Sequence, residues 1–485
     1  MLLKLAKLKT FLIILGATYF SVSSAWGHAF GSRYDLPLPL WLYLFGAGSS
    51  VGLSFLVMVV FFNKSNSEKH YIKFDLLTFS FLKWLTSQSF VNLIKTLSIL
   101  LFIFLLLAGF YGDPNPLNNI TSIYIWVIWW VGMAFFSALI GNLWSLINPW
   151  TIFFTFFTRR IGKSQTCRPY PVSLDRWPSV LLLFIFAWME LISEQAEDPQ
   201  ILSCLILIYS VITWVGMTTY GKVKWLENGE VFHVIFSLLA RFAPLYRTQK
   251  SLYIRIPSTG LIVNRPISFA ESCFVILFLS TVTFDGILET PIWASILNSI
   301  SESLSLRPLL ILMQEAGINL IMFIKTIALI GIPTVFFIIF AGFCHLTAEL
   351  GSSGRMPTLD VIGYFVLSLV PIAIAYHLAH YLTYLLIAGQ QIIPLTSDPF
   401  NLGWNLFGTS DYVTNIGIIN AKVIWYFAIS AIIIGHVFAI YIAHIMALEI
   451  FSNKKMALSS QYPMMAMMIG YTMISLWVLS QPIIE

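Results

Sequence analysis

Residues 361–388 read VIGYFVLSLVPIAIAYHLAHYLTYLLIA. No Asp, Glu, Lys or Arg interrupts the run. A helix rises 1.5 Å per residue, so ~20 apolar residues suffice to cross the ~30 Å hydrocarbon core of a bilayer. This run crosses with residues to spare, and it has company. Comparable runs lie near 39–62, 94–111, 121–145, 178–194, 200–220, 267–285, 317–345, 422–449 and 463–480. The chain has 485 residues, of which 58% are apolar and 10% charged, and its mean hydropathy is +0.83. A soluble domain carries about 25% charged residues. The sequence therefore predicts an all-α polytopic transmembrane helical bundle of about ten spans, and it excludes a soluble enzyme. A single transmembrane domain is expected over 28–485. No basic stretch interleaved with aromatics points to nucleic acid. The partners expected are the lipid bilayer and an apolar small molecule.

The first residues, MLLKLAKLKTFLIILGATYFSVSSAWGHAFG, combine three lysines, an apolar core and small residues at Ala25, Gly27 and Ala29. That is a signal-peptide pattern, placed at 1–27, with an uncleaved first helix as the alternative. Charge placement then orients the spans. With the mature N-terminus outside, nearly all Lys and Arg fall in inner loops, above all in the basic loop 221–266. Only Arg33, Arg307, Lys325 and Lys422 fall at the outer side, among 27 Lys and Arg in all. The positive-inside rule thus puts both mature termini outside, which in a bacterial cytoplasmic membrane is the periplasm. Within the inner loop, YIRIPSTGLIV reads as a short hairpin. NPWTIFFTFFTRR reads as an amphipathic interfacial helix. The four cysteines, Cys167, Cys204, Cys273 and Cys344, form no C-x-x-C pair and read as buried small hydrophobes.

Against this apolar background the titratable groups stand out. Each costs about 2.5–3.5 kcal/mol on insertion scales and marks a functional position by default. The helical rise puts His377 and His380 roughly 24–29 Å along their span, Asp285 about 27 Å along the sixth, and His436 about 21 Å down the ninth. His377 and His380 are three apart and share a face. With His436 and Asp285 they form a candidate site for zinc or a similar divalent metal. In that reading Asp285 is the fourth ligand or a catalytic general base. His345, Glu349 and His444 form a second polar cluster toward the inner face. Gln390, Gln391 and Asp398, in an outer loop, are candidate substrate contacts, against a plain turn as the bland reading. Haem held by His380 and His436, copper on a His28 exposed by cleavage, and a transport path for a metal ion or small solute are the alternatives. For any one of these histidines taken alone, an interhelical hydrogen bond is the commoner role.

Four longer stretches go further. They are HAFGSRYDLPLPLWLYLFGAG, TFDGILETPIW, PIAIAYHLAHYLTYLLIAGQQIIPLTSDPFNLGWNLFG and GHVFAIYIAHIMAL. In these the chain resembles the bacterial integral-membrane family called fenitrothion hydrolase, over about residues 28–450, with 63–260 matching poorly. The resemblance implies a membrane-bound hydrolase that cleaves the bond between phosphorus and the aryl oxygen of organophosphate triesters. It brings no catalytic residues with it. A metal would suit such chemistry by activating water and polarising a phosphoryl oxygen.

Overall fold

The computed structural model describes residues 38–61, 74–161, 167–248, 251–352, 354–451 and 453–481. The signal-peptide reading of 1–27, and His28, His70 and Arg33, fall outside the described residues.

Among the described residues nine helices are long and apolar enough to span a membrane. We number the principal helices in chain order: α1 Leu40–Phe61, α2 Gln88–Tyr111, α3 Ile120–Leu139, α4 Trp177–Leu191, α5 Pro199–Tyr220, α6 Val231–Ala240, α7 Phe269–Leu288, α8 Leu320–Ser352, α9 Thr358–Ser397, α10 Ala421–Ile450 and α11 Lys454–Leu479. The all-α bundle expected from the sequence is what forms. The run expected over 178–194 gives α4, a helix of only 15 residues. Its rise of about 22 Å falls short of a full bilayer crossing.

Local chemistry sets the helix ends. Asp198 accepts from the backbone N–H groups of Gln200 and Ile201, and Pro199 opens α5 at the position where a missing N–H costs nothing. Gly221 ends the same helix at φ +86°, a conformation that favours glycine. Ser268 caps α7 through the Glu271 N–H. Asn119 caps α3 and also donates to the Ala108 carbonyl, tying the ends of α2 and α3 together.

Three helices are interrupted, α11 at Ser460 between Lys454–Ser459 and Gln461–Leu479. In α3 the turns over Tyr124–Val131 widen to π geometry, a feature found frequently at functional sites. In α9 the turn Val366–Leu369 tightens to 3-10 just before Pro371, which has no N–H to continue the ladder.

α7 and α9 are central. In each, 78% of the most apolar stretch is buried, against 17% in α2 and α8 and 22% in α1. Small residues let the central helices approach their neighbours: Gly435 of α10 faces the Pro371 carbonyl and Ala375 of α9.

The segment 221–266 folds down rather than hanging free. Strands β2 Leu245–Arg247 and β3 Leu252–Ile254 pair antiparallel, and β1 Phe74–Asp75 adds to β3, giving the order β1-β3-β2. The hairpin therefore lies earlier than YIRIPSTGLIV suggested, and Thr259–Leu261 form a 3-10 turn instead. Arg255 donates to the carbonyls of Ala240, Arg241 and Ala243. Glu271 in the first turn of α7 pairs with Arg176 at 3.1 Å and with Arg241 at 3.6 Å. Glu271→Ala leaves both guanidiniums without this partner, and they are 21% and 34% exposed. We expect a loss of about 1–3 kcal/mol, read as a lower melting temperature in detergent; an unchanged melt would refute the pairing's structural role. The helix Pro149–Ile161 docks through Trp150, whose indole N–H donates to Ser210 of α5 at 2.7 Å.

Candidate functional site

The centre of the site is Asp285, one turn before the end of α7. Its Oδ2 accepts a hydrogen bond from His380 Nε2 at 3.0 Å and one from the Tyr381 hydroxyl at 2.6 Å. Both partners come from α9, so one carboxylate oxygen joins the two central helices. An ionised carboxylate only accepts, so Nε2 carries the proton and Nδ1 is the basic nitrogen. The pair is not sealed: the side chains of His380 and Asp285 keep 13% and 20% of their exposure. Tyr376 lies along His380 with ring centroids 6.3 Å apart. Its hydroxyl sits where residue 286 has no side chain; a Cβ there would lie 2.9 Å from that oxygen and 2.8 Å from Val478. Glycine next to Asp285 is thus a packing requirement.

Around this hub lie further polar groups. Trp130 of α3 donates to Glu190 of α4 at 2.6 Å, and Glu190 stands within electrostatic range of Asp285. His377 is boxed by Tyr381, Phe135, Trp130 and Phe278, with centroids 4.7–6.4 Å away. Neither of its ring nitrogens has a hydrogen-bond partner among the described residues. His436 donates Nδ1–H to the Ile432 carbonyl at 2.8 Å, and its ring rests 6.0 Å from Tyr471, which bonds Thr283 of α7 at 2.8 Å.

The expected four-ligand metal set of His377, His380, His436 and Asp285 is not assembled. Three residues turn a helix by about 300°, so His377 and His380 point some 60° apart. One faces the aromatic rings of α3, the other the carboxylate of α7. His436 spends Nδ1 on the Ile432 carbonyl of its own helix, and its buried Nε2 has no partner among the described residues. Among the described residues no group of three or more His, Cys, Asp or Glu is placed to hold a metal ion. Of the two histidines of the haem alternative, His380 has its Nε2 on Asp285 and His436 its Nδ1 on the Ile432 carbonyl. The second cluster spans two helices, with His345 and Glu349 on α8 and His444 on α10. His345 is exposed and pairs with Thr358 at 3.2 Å, while the buried His444 bonds Gln461 of α11 at 2.7 Å. Glu349 is exposed and packs beside Gly354.

Gln390 and Asp398 hold the loop that follows α9. Gln390 donates to the carbonyls of Leu386 and Asn415 and accepts from the Tyr412 hydroxyl and the Asn415 N–H. Asp398 accepts from the N–H groups of Leu402, Gly403 and Trp404. Their chemistry is that of a turn. Gln391 differs, with a buried Oε1 that has no partner among the described residues. Gln390→Ala should cost about 1–3 kcal/mol and speed proteolysis within 398–420; a loop equally resistant in both proteins would contradict this. The same loop is tied to Asp113 through Asn401. The Asn115 backbone N–H, then the Asn401 side chain, hold the Asp113 carboxyl below its usual range. That tie is complete above the unperturbed carboxylate pKa of about 3.9 and is lost as pH falls through the lower folded value.

Sequence reasoning passed over Tyr381 and Glu190. Tyrosine carries little insertion penalty and raises no flag. Glu190 did carry a signal, as a carboxylate inside the run 178–194, close to the acidic residues Glu194, Glu197 and Asp198 that follow.

Fold and site together define a multi-pass α-helical membrane protein with a carboxylate–imidazole–phenol centre between the two most buried of the described spanning helices. No protein-family model, no curated protein and no solved structure matches the chain.

Proposed function

We propose that this protein is a membrane-embedded hydrolase in which His380, held by Asp285, is the general base. The observation that carries the reading is the single Asp285 oxygen shared by His380 Nε2–H and the Tyr381 hydroxyl. Orienting an imidazole through one nitrogen and leaving the other to take a proton is the arrangement of base and orienter in hydrolytic sites. His380 Nδ1 takes a proton from water, and the hydroxide oxygen bonds to phosphorus as the aryl oxide leaves. Asp285 stabilises the imidazolium until the proton is released. The resemblance described above supports a phosphotriester as substrate class, and an apolar triester would arrive through the bilayer. The placement of Lys and Arg supports a cytoplasmic membrane with the basic loops inside.

The test uses purified protein in lipid vesicles with an aryl phosphotriester and follows release of the phenol. His380→Gln should slow the reaction by about 10²–10⁴-fold, while His436→Ala stays within about threefold. Equal rates for wild type and His380→Gln would overturn the proposal.

A second reading is a proton-linked transporter. It is favoured by polar pairs that continue away from the hub, Thr283 with Tyr471 and His444 with Gln461, and by the interrupted helix α9. A pH dye trapped in the same vesicles separates the two, since only the transporter moves protons across the membrane.

A further inference from the structure

On the far side of Trp130 from His377 lies a cavity of about 520 Å³. Its walls include Trp126 and Trp129 of α3, Phe186 of α4, Ile206 of α5 and Phe232 of α6. Phe186 and Phe232 also pack on Trp130, at 4.6 and 6.4 Å, so one aromatic layer separates the cavity from the polar hub. We propose that this cavity binds one hydrocarbon chain of a membrane lipid.

The walls argue for a dry occupant. Four of their polar groups are engaged elsewhere: Trp126 donates to the Ala196 carbonyl, Trp150 to Ser210, Tyr209 to Glu230 and Ser98 to the Ile147 carbonyl. A buried water needs 2–4 polar partners, and these walls offer nothing close to that. The Tyr124 hydroxyl shows no hydrogen bond among the described residues, and neither does the Trp144 indole N–H.

The dimensions argue for a chain. Along α2 the cavity runs from Ile94 to Leu106, about 18 Å of helix, comparable to the ~15 Å hydrocarbon depth of one leaflet. The way in is lateral. Leu101, Ile185 and Ile208 line the cavity and are also 36%, 47% and 57% exposed on the apolar surface of the bundle. A chain can slide in from the bilayer without its headgroup leaving the interface.

The test is native mass spectrometry of the full chain after extensive detergent washing, with photo-crosslinking to a phospholipid bearing a diazirine near its chain end. One retained lipid is expected, with cross-links concentrated in peptides of α2 and α5. Ile206→Trp, which fills the cavity, should reduce retention about tenfold. Leu101→Trp, at the mouth, should do the same and serves where Ile206→Trp fails to fold; Leu53→Trp, on the outer surface of α1, should not. No retained lipid, cross-links spread evenly over α1, α2 and α5, or unchanged retention in a folded filled variant would each overturn the proposal.

Discussion

Asp285→Asn is expected to lower phosphotriester hydrolysis by about 10²–10⁴-fold while the bundle stays folded. The substitution is nearly isosteric, so the packing of Gly286 against Tyr376 and Val478 is kept. What changes is charge and hydrogen-bond capacity. An amide oxygen still accepts from one partner, but Oδ2 now serves both His380 and Tyr381. More important, a neutral amide does not stabilise the imidazolium that forms when His380 takes a proton. The Asn amide can also donate to the imidazole and hold it in the wrong tautomer. Phenol release in vesicles reads the effect directly. A rate within about threefold of wild type would show that Asp285 is only a structural link between α7 and α9.

The second large effect is structural. Gly435→Leu should destabilise the protein by about 3 kcal/mol or more. Even a Cβ at this position would lie 2.7 Å from the carbonyl oxygen of Pro371 and would press on Ala375. Backbone cannot step aside as a long side chain can. The collision is where α10 packs on α9, and α9 carries His380 and Tyr381. Loss of activity should therefore accompany a lowered melting temperature. Gly470→Leu is the control, because a Cβ at Gly470 meets nothing within 4 Å; it should melt close to wild type. Equal melts for the two variants would show that the helices separate easily at Gly435.

These outcomes rest on features that differ in how far the sequence announces them. The uncharged run 361–388 becomes a central helix because lipid and neighbouring helices accept apolar side chains on every face. Its break before Pro371 follows from the missing N–H. The depth of Asp285 and His380 was legible from helical rise alone, and the two do meet. Rotation about the helix axis was not legible, because residues uniformly apolar on all sides give no amphipathic stripe to fix a face. That is why His377 and His436, at plausible depths, point elsewhere. The turn after α9 shows the same limit: Gln390 and Asp398 have the right chemistry for ligands, yet the backbone groups around them use it up.

The central claim is that Asp285 and His380 act as one unit. The most direct measurement is the hydrolysis rate of Asp285→Asn, His380→Gln and the double variant in the same vesicles. A cooperating pair predicts a double variant about as slow as the slower single one. Two losses that multiply would contradict it and separate the carboxylate from the base.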